Sequence, residues 1–164
     1  MLEEEYRKLA EAKYGTLSEP RFDFVAEAVR LEAYAPLLGE LSSAFAIEDD
    51  TDTNDDVSFC MHLRRGQNLW ILRLSMLARL AALMRVRGES VIVVGSAGTS
   101  SATVRSGDEQ EIVGALERHA VAALDRAELE KSVPVQLYNV DASRCRVYQA
   151  FFSDTDILPW ESDV

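Results

Sequence analysis

Cysteines and histidines are scarce in this sequence, and no apolar run free of charges is long enough to cross a membrane. Its 164 residues contain two cysteines, Cys60 and Cys145, and two histidines. Two cysteines do not make a disulfide framework, so we interpret them as a buried, reduced pair. The longest mostly apolar stretch, 69–86, contains three arginines and is no candidate for a membrane span. The first residues are acidic, without the basic start and apolar run of a secretory signal, so we expect a cytoplasmic protein.

Motifs that would indicate catalysis or cofactor binding are missing as well. No serine lies within a Gly-x-Ser-x-Gly elbow. His62 and His119 belong to no spaced set of ligands, and a soft four-ligand metal centre would need both histidines and both cysteines to converge. The small, polar loop 95–101 lacks the lysine of a P-loop and the third glycine of a dinucleotide fingerprint. We therefore predict a protein that is not an enzyme and that uses no cofactor and no metal.

The charge is strongly acidic and unevenly distributed. The chain carries 17 basic and 28 acidic residues, a formal net charge of −11. Residues 57–88 contain six arginines and no acid, which leaves 11 basic and 28 acidic residues, a net charge of −17, for the remainder. Phosphate binding needs clustered lysines and arginines, so we do not expect nucleic acid as a partner. An acidic surface would steer a basic partner toward it, and the alternative is that the charge only keeps the protein dissolved.

The spacing of apolar residues predicts a single domain, 1–164, of the α+β class. The sheet is expected to be mostly antiparallel, with about five to six strands, and to carry N-terminal helices and one long central helix. Helical spacing predicts a helical layer over 1–46. Alternation of apolar and polar residues then begins a strand meander over 57–105. Residues 77–87 fit either a helix or a strand, and we favour the strand because the end of this run alternates before a turn.

The second half of the sequence predicts a helix, a hairpin and a tail. A capping box that starts at Ser106 predicts the long helix over 106–131. Two runs joined by residues 141–144 predict a hairpin over 134–152. A short tail, 153–164, follows. We assign the aromatic residues of the predicted strands to core or cross-strand packing. These residues are Trp70, Tyr138, Tyr148, Phe151 and Phe152.

The acidic segment, residues 48–56, is the sharpest local feature, since six of its nine residues are carboxylates. The run Asp50-x-Asp52-x-Asn54 has the spacing of the first three ligands of a calcium loop. The pattern then fails, because Asp55 stands where glycine is required and Met61 where a bidentate glutamate belongs. A solvated turn and an anionic contact loop for a basic partner remain as alternatives. The candidate contact residues are Glu48, Asp49, Asp50, Asp52, Asp55 and Asp56.

Trp160 is a further candidate for contact with a partner. It ends the apolar run 157–160 in an otherwise acidic tail. Exposed apolar side chains of this size are unfavourable in water. Either the tail docks on the body of the protein, or Trp160 is an exposed anchor for a partner.

Three features carry a family resemblance: the acidic segment, the apolar strand around Leu69–Met76, and the terminal hairpin, which ends in Phe151-Phe152-Ser-Asp-Thr-Asp-Ile-Leu-Pro-Trp160. Together they resemble small immunity proteins of bacterial polymorphic-toxin systems. The resemblance implies a cytoplasmic, non-enzymatic protein that neutralises a toxin domain by covering its active site or an adjoining surface. It also implies a basic toxin domain as the partner, bound by an acidic loop and aromatic anchors. No individual residue is carried over, because these families share no common site.

Two other functional classes stay open from the sequence. A secretion-chaperone-like adaptor would also be a small acidic α+β protein, and an apolar homodimer formed through strands would favour it. A small enzyme that holds a phosphate ligand in loop 95–101 would be stabilised by phosphate or nucleotide. We expect no membrane association in any of the three classes.

Overall fold

A computed structural model describes residues 1–95 and 106–161 of the chain. Within these ranges the chain forms six α-helices, a six-stranded sheet and a short 3-10 helix at Pro159–Glu161. The helices are α1 (Glu3–Tyr14), α2 (Asp23–Leu31), α3 (Ala35–Ser42), α4 (Gly107–Arg118), α5 (Arg126–Leu129) and α6 (Val147–Phe151). The strands are β1 (Ala46–Asp49), β2 (Ser58–Arg65), β3 (Asn68–Ser75), β4 (Leu80–Arg87), β5 (Ser90–Val93) and β6 (Ala122–Ala123).

The sheet follows the chain in the order β1-β2-β3-β4-β5, and each of these neighbours pairs antiparallel. The short strand β6 pairs parallel with the start of β4. Gly66 and Gly88 turn the two tight hairpins with φ values of +59° and +60°, a left-handed conformation that glycine adopts at no steric cost. The predicted α+β class with a mostly antiparallel sheet is confirmed, and so is the strand favoured within 77–87.

Both faces of the sheet are covered, which gives the protein two hydrophobic clusters. Successive residues of strand β4 contribute to opposite clusters. Ala81 and Leu83 belong to one cluster, and Ala82 and Met84 belong to the other. The first cluster lies under α3 and α4. The second lies under α1, α6 and the C-terminal segment. Alternate residues of a strand point to opposite faces, so a strand covered on both sides reads as one apolar run.

The predicted hairpin over 134–152 is wrong. Residues 133–138 do alternate between buried and exposed, but they lie outside the sheet, and Gln136 N–H donates to the carbonyl of Leu17 at 2.8 Å. A single bridge, Ser132 to Arg146, joins the two arms. The second arm becomes helix α6, whose five residues are all buried. A segment buried on every side carries no period that separates a helix from a strand.

The central helix is shorter than the predicted 106–131, because α4 ends at Arg118. Ala120 then adopts a left-handed conformation with φ of +56°, and Val121 N–H donates to the carbonyl of Leu116 at 2.9 Å. This closure is a Schellman-type ending, which usually has glycine at the left-handed position. Because alanine occupies that position here, the sequence contains no signal that α4 ends at Arg118.

Candidate functional site

The acidic segment lies at one edge of the sheet and crosses into the loop before β2. Glu48 and Asp49 belong to the edge strand β1, so the predicted helical layer gives way to a strand at residue 46 rather than to a loop. Strand β1 is four residues long and lacks apolar alternation, which is why its sequence does not read as a strand. Five of the six carboxylates are exposed to solvent. These are Glu48, Asp49, Asp50, Asp52 and Asp55.

Two aspartates of the acidic segment shape its backbone. The Asp49 carboxylate accepts a hydrogen bond from Thr51 N–H at 2.9 Å, and the Asp52 carboxylate accepts one from Asn54 N–H at 3.0 Å. These local turns are typical of aspartate in loops. A strand follows the segment, whereas a calcium loop of this spacing leads into a helix.

Asp56 differs from the other carboxylates of the segment because it is 7% exposed. One of its oxygens lies 3.1 Å from a terminal nitrogen of Arg73, whose Nε is buried and has no hydrogen-bond partner. A buried carboxylate needs such a cation, because removal from water is costly for an unpaired charge. Asp56 is therefore largely buried and paired with Arg73, and only a small part of it reaches the surface.

The acidic segment is fixed to the C-terminal part of the chain. Val57 N–H donates to the carbonyl of Phe152 at 3.0 Å, and Asp154 N–H donates to the carbonyl of Asp55 at 3.1 Å. Asp56 and Ser153 form an isolated antiparallel bridge between these two bonds. Residues distant in sequence thus form one continuous surface, which extends from the edge strand to residue 154.

Tyr138 protrudes from this surface with 97% of its area exposed, so the prediction that it packs within a strand is wrong. Its backbone N–H donates to the carboxylate of Asp154 at 3.0 Å, and Asn139 N–H donates to the same carboxylate at 3.1 Å. Burial raises the pKa of Asp154, the two backbone donors lower it, Asp55 raises it further, and the net shift is upward. The turn that presents the tyrosine is therefore held by a carboxylate beside the acidic segment.

A cleft of about 320 Å³ opens between the acidic segment and the Tyr138 turn. Its walls combine aromatic and aliphatic side chains with carboxylates. The residues that give it this character are Tyr14, Phe22, Val25, Asp55, Tyr138 and Asp154. Phe22 is 45% exposed, so apolar area as well as negative charge is accessible there. Sequence reasoning missed Phe22, Tyr138 and Asp154, because only the fold brings these separate regions together.

Trp160 lies in the interior of the protein, with 8% of its area exposed. Its ring contacts Tyr148 edge to face at a centroid distance of 5.2 Å, and its indole N–H donates to Glu130 at 2.7 Å. The docked arrangement of the tail is the one that the structure adopts. The alternative, in which Trp160 is an exposed anchor for a partner, is therefore wrong for the folded chain.

The two histidines and two cysteines do not converge on one centre. Cys60 and His62 lie on the same face of β2, and Asp50 lies beside them. His119 instead lies 3.1 Å from a carboxylate oxygen of Glu40, and Cys145 is buried in the cluster under α1 and α6. Burial raises the pKa of the Cys60 thiol. Loop 95–101, which the enzyme alternative would use to hold phosphate, lies outside the described residues except for Gly95.

Comparison with known proteins yields no match, whether to a protein-family model, a curated protein or a solved structure. The resemblance to immunity proteins therefore stays a prediction. Across the described ranges, no helix combines the length and the apolar character needed to cross a membrane.

Proposed function

We propose that this protein is a non-enzymatic protein-binding domain that covers a basic surface of its partner, in the manner of an immunity protein that neutralises a toxin. The observation that carries the proposal is that exposed carboxylates and an aromatic-lined cleft lie next to each other on the surface. Residues 48–55 carry five exposed carboxylates, and one of them, Asp55, lines the cleft beside Tyr138. Tight protein interfaces combine charge complementarity with a few aromatic anchors in this way.

The exposed carboxylates would attract a basic partner over a long range and so speed association. Opposite charges on two proteins speed their encounter, and the gain falls with added salt because salt screens the attraction. In a complex, these carboxylates would face the lysines and arginines of the toxin domain. They would occupy the position of its anionic substrate and thereby block access to the active site.

The cleft supplies short-range binding. Tyr138 combines a large apolar ring with a hydroxyl group, and tyrosine is enriched among residues whose loss weakens binding most. A basic side chain of the partner that enters the cleft would meet the carboxylates of Asp55 and Asp154 and the aromatic ring of Phe22. Both the ion pair with a carboxylate and the contact of the cation with an aromatic ring become more favourable when water is excluded.

The proposal requires that a toxin gene lie directly upstream, and the test measures association kinetics with the toxin domain that this gene would encode. The triple substitution Asp49→Asn, Asp52→Asn and Asp55→Asn removes three charges, and asparagine can still accept the backbone hydrogen bonds of the turns. We expect the association rate at low salt to fall about tenfold and its salt dependence to flatten. Tyr138→Ala is expected to act mainly on the dissociation rate, because short-range contacts determine how long a complex persists.

A matched control removes the same amount of charge elsewhere. Glu4, Glu89 and Glu117 are exposed and lie outside the acidic segment. Their combined replacement by glutamine should change the association rate much less than the aspartate triple variant does. Equal effects of the two triple variants would show that net charge, and not this surface, governs binding. Absence of binding by the unmodified protein would refute the proposal itself.

A further inference from the structure

Three side chains with different donor atoms converge beside the edge strand. Asp50, Cys60 and His62 each offer one oxygen, sulfur or nitrogen, and these three atoms all lie within 4.8 Å of one another. His62 Nε2 is 3.5 Å from an oxygen of Asp50. Cys60 is 3% exposed, His62 is half-buried and Asp50 is exposed, so the cluster opens to solvent on one side.

The backbone under this cluster is fixed by the sheet. Cys60 and His62 are two residues apart on β2 and therefore point to the same face. Asp50 follows β1, and its N–H donates to the carbonyl of Cys60 at 2.8 Å. The hydroxyl of Thr51 accepts a hydrogen bond from Cys60 N–H at 3.0 Å. Because the backbone of all three residues is hydrogen-bonded, little backbone freedom remains to be lost when the side chains bind a common ligand.

The donor set suits a tetrahedral transition-metal ion, and the one separation that is measured directly has the expected length. Zinc binds cysteine sulfur at ~2.3 Å and histidine nitrogen or carboxylate oxygen at ~2.0–2.2 Å, which places neighbouring ligand atoms roughly 3.3–3.6 Å apart. The separation of 3.5 Å between His62 and Asp50 already has this value. Mixed sulfur and imidazole ligands favour zinc-class ions over calcium or magnesium, which prefer oxygen.

We propose that Asp50, Cys60 and His62 form a binding site for a divalent transition-metal ion of the zinc class, with the fourth position open to water. Binding replaces the proton of the Cys60 thiol with a sulfur–metal bond, and that proton passes to solvent. The ion would tie the acidic segment to β2 through Asp50. The exposed carboxylates nearby attract a cation, whereas the half-buried guanidinium of Arg73, on the neighbouring strand, opposes it. This inference does not depend on the proposed protein-binding function.

The test titrates cobalt(II), a spectroscopic substitute for zinc, into chelator-treated, reduced protein. The unmodified protein is expected to give the thiolate-to-cobalt charge-transfer absorption and the visible bands of tetrahedral coordination, and zinc should abolish both by displacement. Cys60→Ser should remove the charge-transfer absorption. His62→Gln and Asp50→Asn, whose side chains are more exposed, should weaken cobalt binding at least about tenfold.

The chain provides its own matched controls, since it has one further cysteine and one further histidine. Cys145→Ser and His119→Gln should leave the cobalt spectrum and the affinity unchanged. Circular dichroism identifies any variant that fails to fold. If Cys60→Ser is such a variant, His62→Gln and Asp50→Asn decide the question. The proposal is overturned if excess cobalt gives no charge-transfer absorption, if Cys145→Ser removes it, or if folded His62→Gln and Asp50→Asn bind cobalt as tightly as the unmodified protein.

Discussion

Replacement of Glu109 by glutamine should remove one of the strongest polar contacts in the interior. The Glu109 side chain is fully buried in the cluster under α3 and α4, at the start of α4. It accepts hydrogen bonds from the indole of Trp70 at 2.9 Å and from the backbone of Ser106 at 2.8 Å. It also forms a two-pronged ion pair with Arg85. Glutamine keeps the shape but not the charge, so the Arg85 guanidinium would lose the negative charge of Glu109.

The pKa of Glu109 gives the magnitude of this effect. Burial raises the pKa, but the donors from Arg85, Trp70 and Ser106 outweigh burial and bring it down to about 2 from the ordinary 4.5. A difference of ~2.5 units corresponds to roughly 3 kcal/mol of folding free energy. Because the folded pKa is the lower one, this stabilisation is present above pH 4.5. It is lost as the pH falls from 4.5 toward 2.

The assay compares the two proteins by urea unfolding at several pH values. At neutral pH, Glu109→Gln should lower the free energy of unfolding by about 3 kcal/mol, as expected when one partner of a buried ion pair is removed. The gap between the two proteins should narrow as the pH falls toward 2. Fluorescence reports the site directly, since Trp70 donates to the substituted group. Glu111→Gln is the matched control on the same helix, because Glu111 is exposed and its loss should change stability little.

A gap that stays constant from neutral pH down to about pH 2.5 would refute the reasoning. It would mean that the pKa of Glu109 is not depressed, and that the ion pair with Arg85 contributes no pH-dependent stability. Other carboxylates also titrate in this range, but their contributions are common to both proteins and cancel in the difference.

Further substitutions test the placement of other side chains. Trp160→Ala should cost about 3–5 kcal/mol of unfolding free energy in urea titration, because the ring is buried; an unchanged value would show that the tail is not docked. Asp56→Asn should cost about 3 kcal/mol, since it leaves the half-buried guanidinium of Arg73 without the negative charge of Asp56, whereas Asp55→Asn should leave the urea midpoint unchanged. Gly95→Ala should cost about 1–3 kcal/mol by the same assay, because a Cβ there would lie 2.7 Å from Cβ of Asp125.

The secondary structure was predictable where apolar residues recur at a clear period between turn residues. Strands β2 and β3 alternate or run apolar between clear turn residues, and the capping box at Ser106 marks the start of α4 as expected, with Glu109 N–H donating to Ser106 at 3.2 Å. The prediction of strands failed where the backbone hydrogen-bond partners come from a distant part of the chain instead of a neighbouring strand. The extended segment before residue 138 has the burial pattern of a strand, yet it bonds to Leu17 rather than to a neighbouring strand. Period alone cannot distinguish these outcomes.

The candidate site was predictable in its charge but not in its shape. The sequence alone shows that six of the nine residues 48–56 are carboxylates. Nothing in that run indicates that Asp56 turns inward to Arg73 while Asp55 remains exposed. The exposure of Tyr138 depends on Asp154, which is sixteen residues away and holds the turn through its carboxylate. Long-range pairing of this kind leaves no local signal in one sequence.

Among the residues that the structure describes, the buried carboxylates and those of the acidic segment differ in their partners, and this contrast supports the proposed function. The buried ones, Asp56 and Glu109, each have an arginine partner and stabilise the fold. The exposed ones of the acidic segment repel one another in the free protein. Asp49 and Asp52 accept backbone hydrogen bonds, but asparagine could accept the same bonds without any charge. The turns therefore do not require the negative charge. A cationic partner would relieve the repulsion on binding, and the same relief would add to the affinity of the complex.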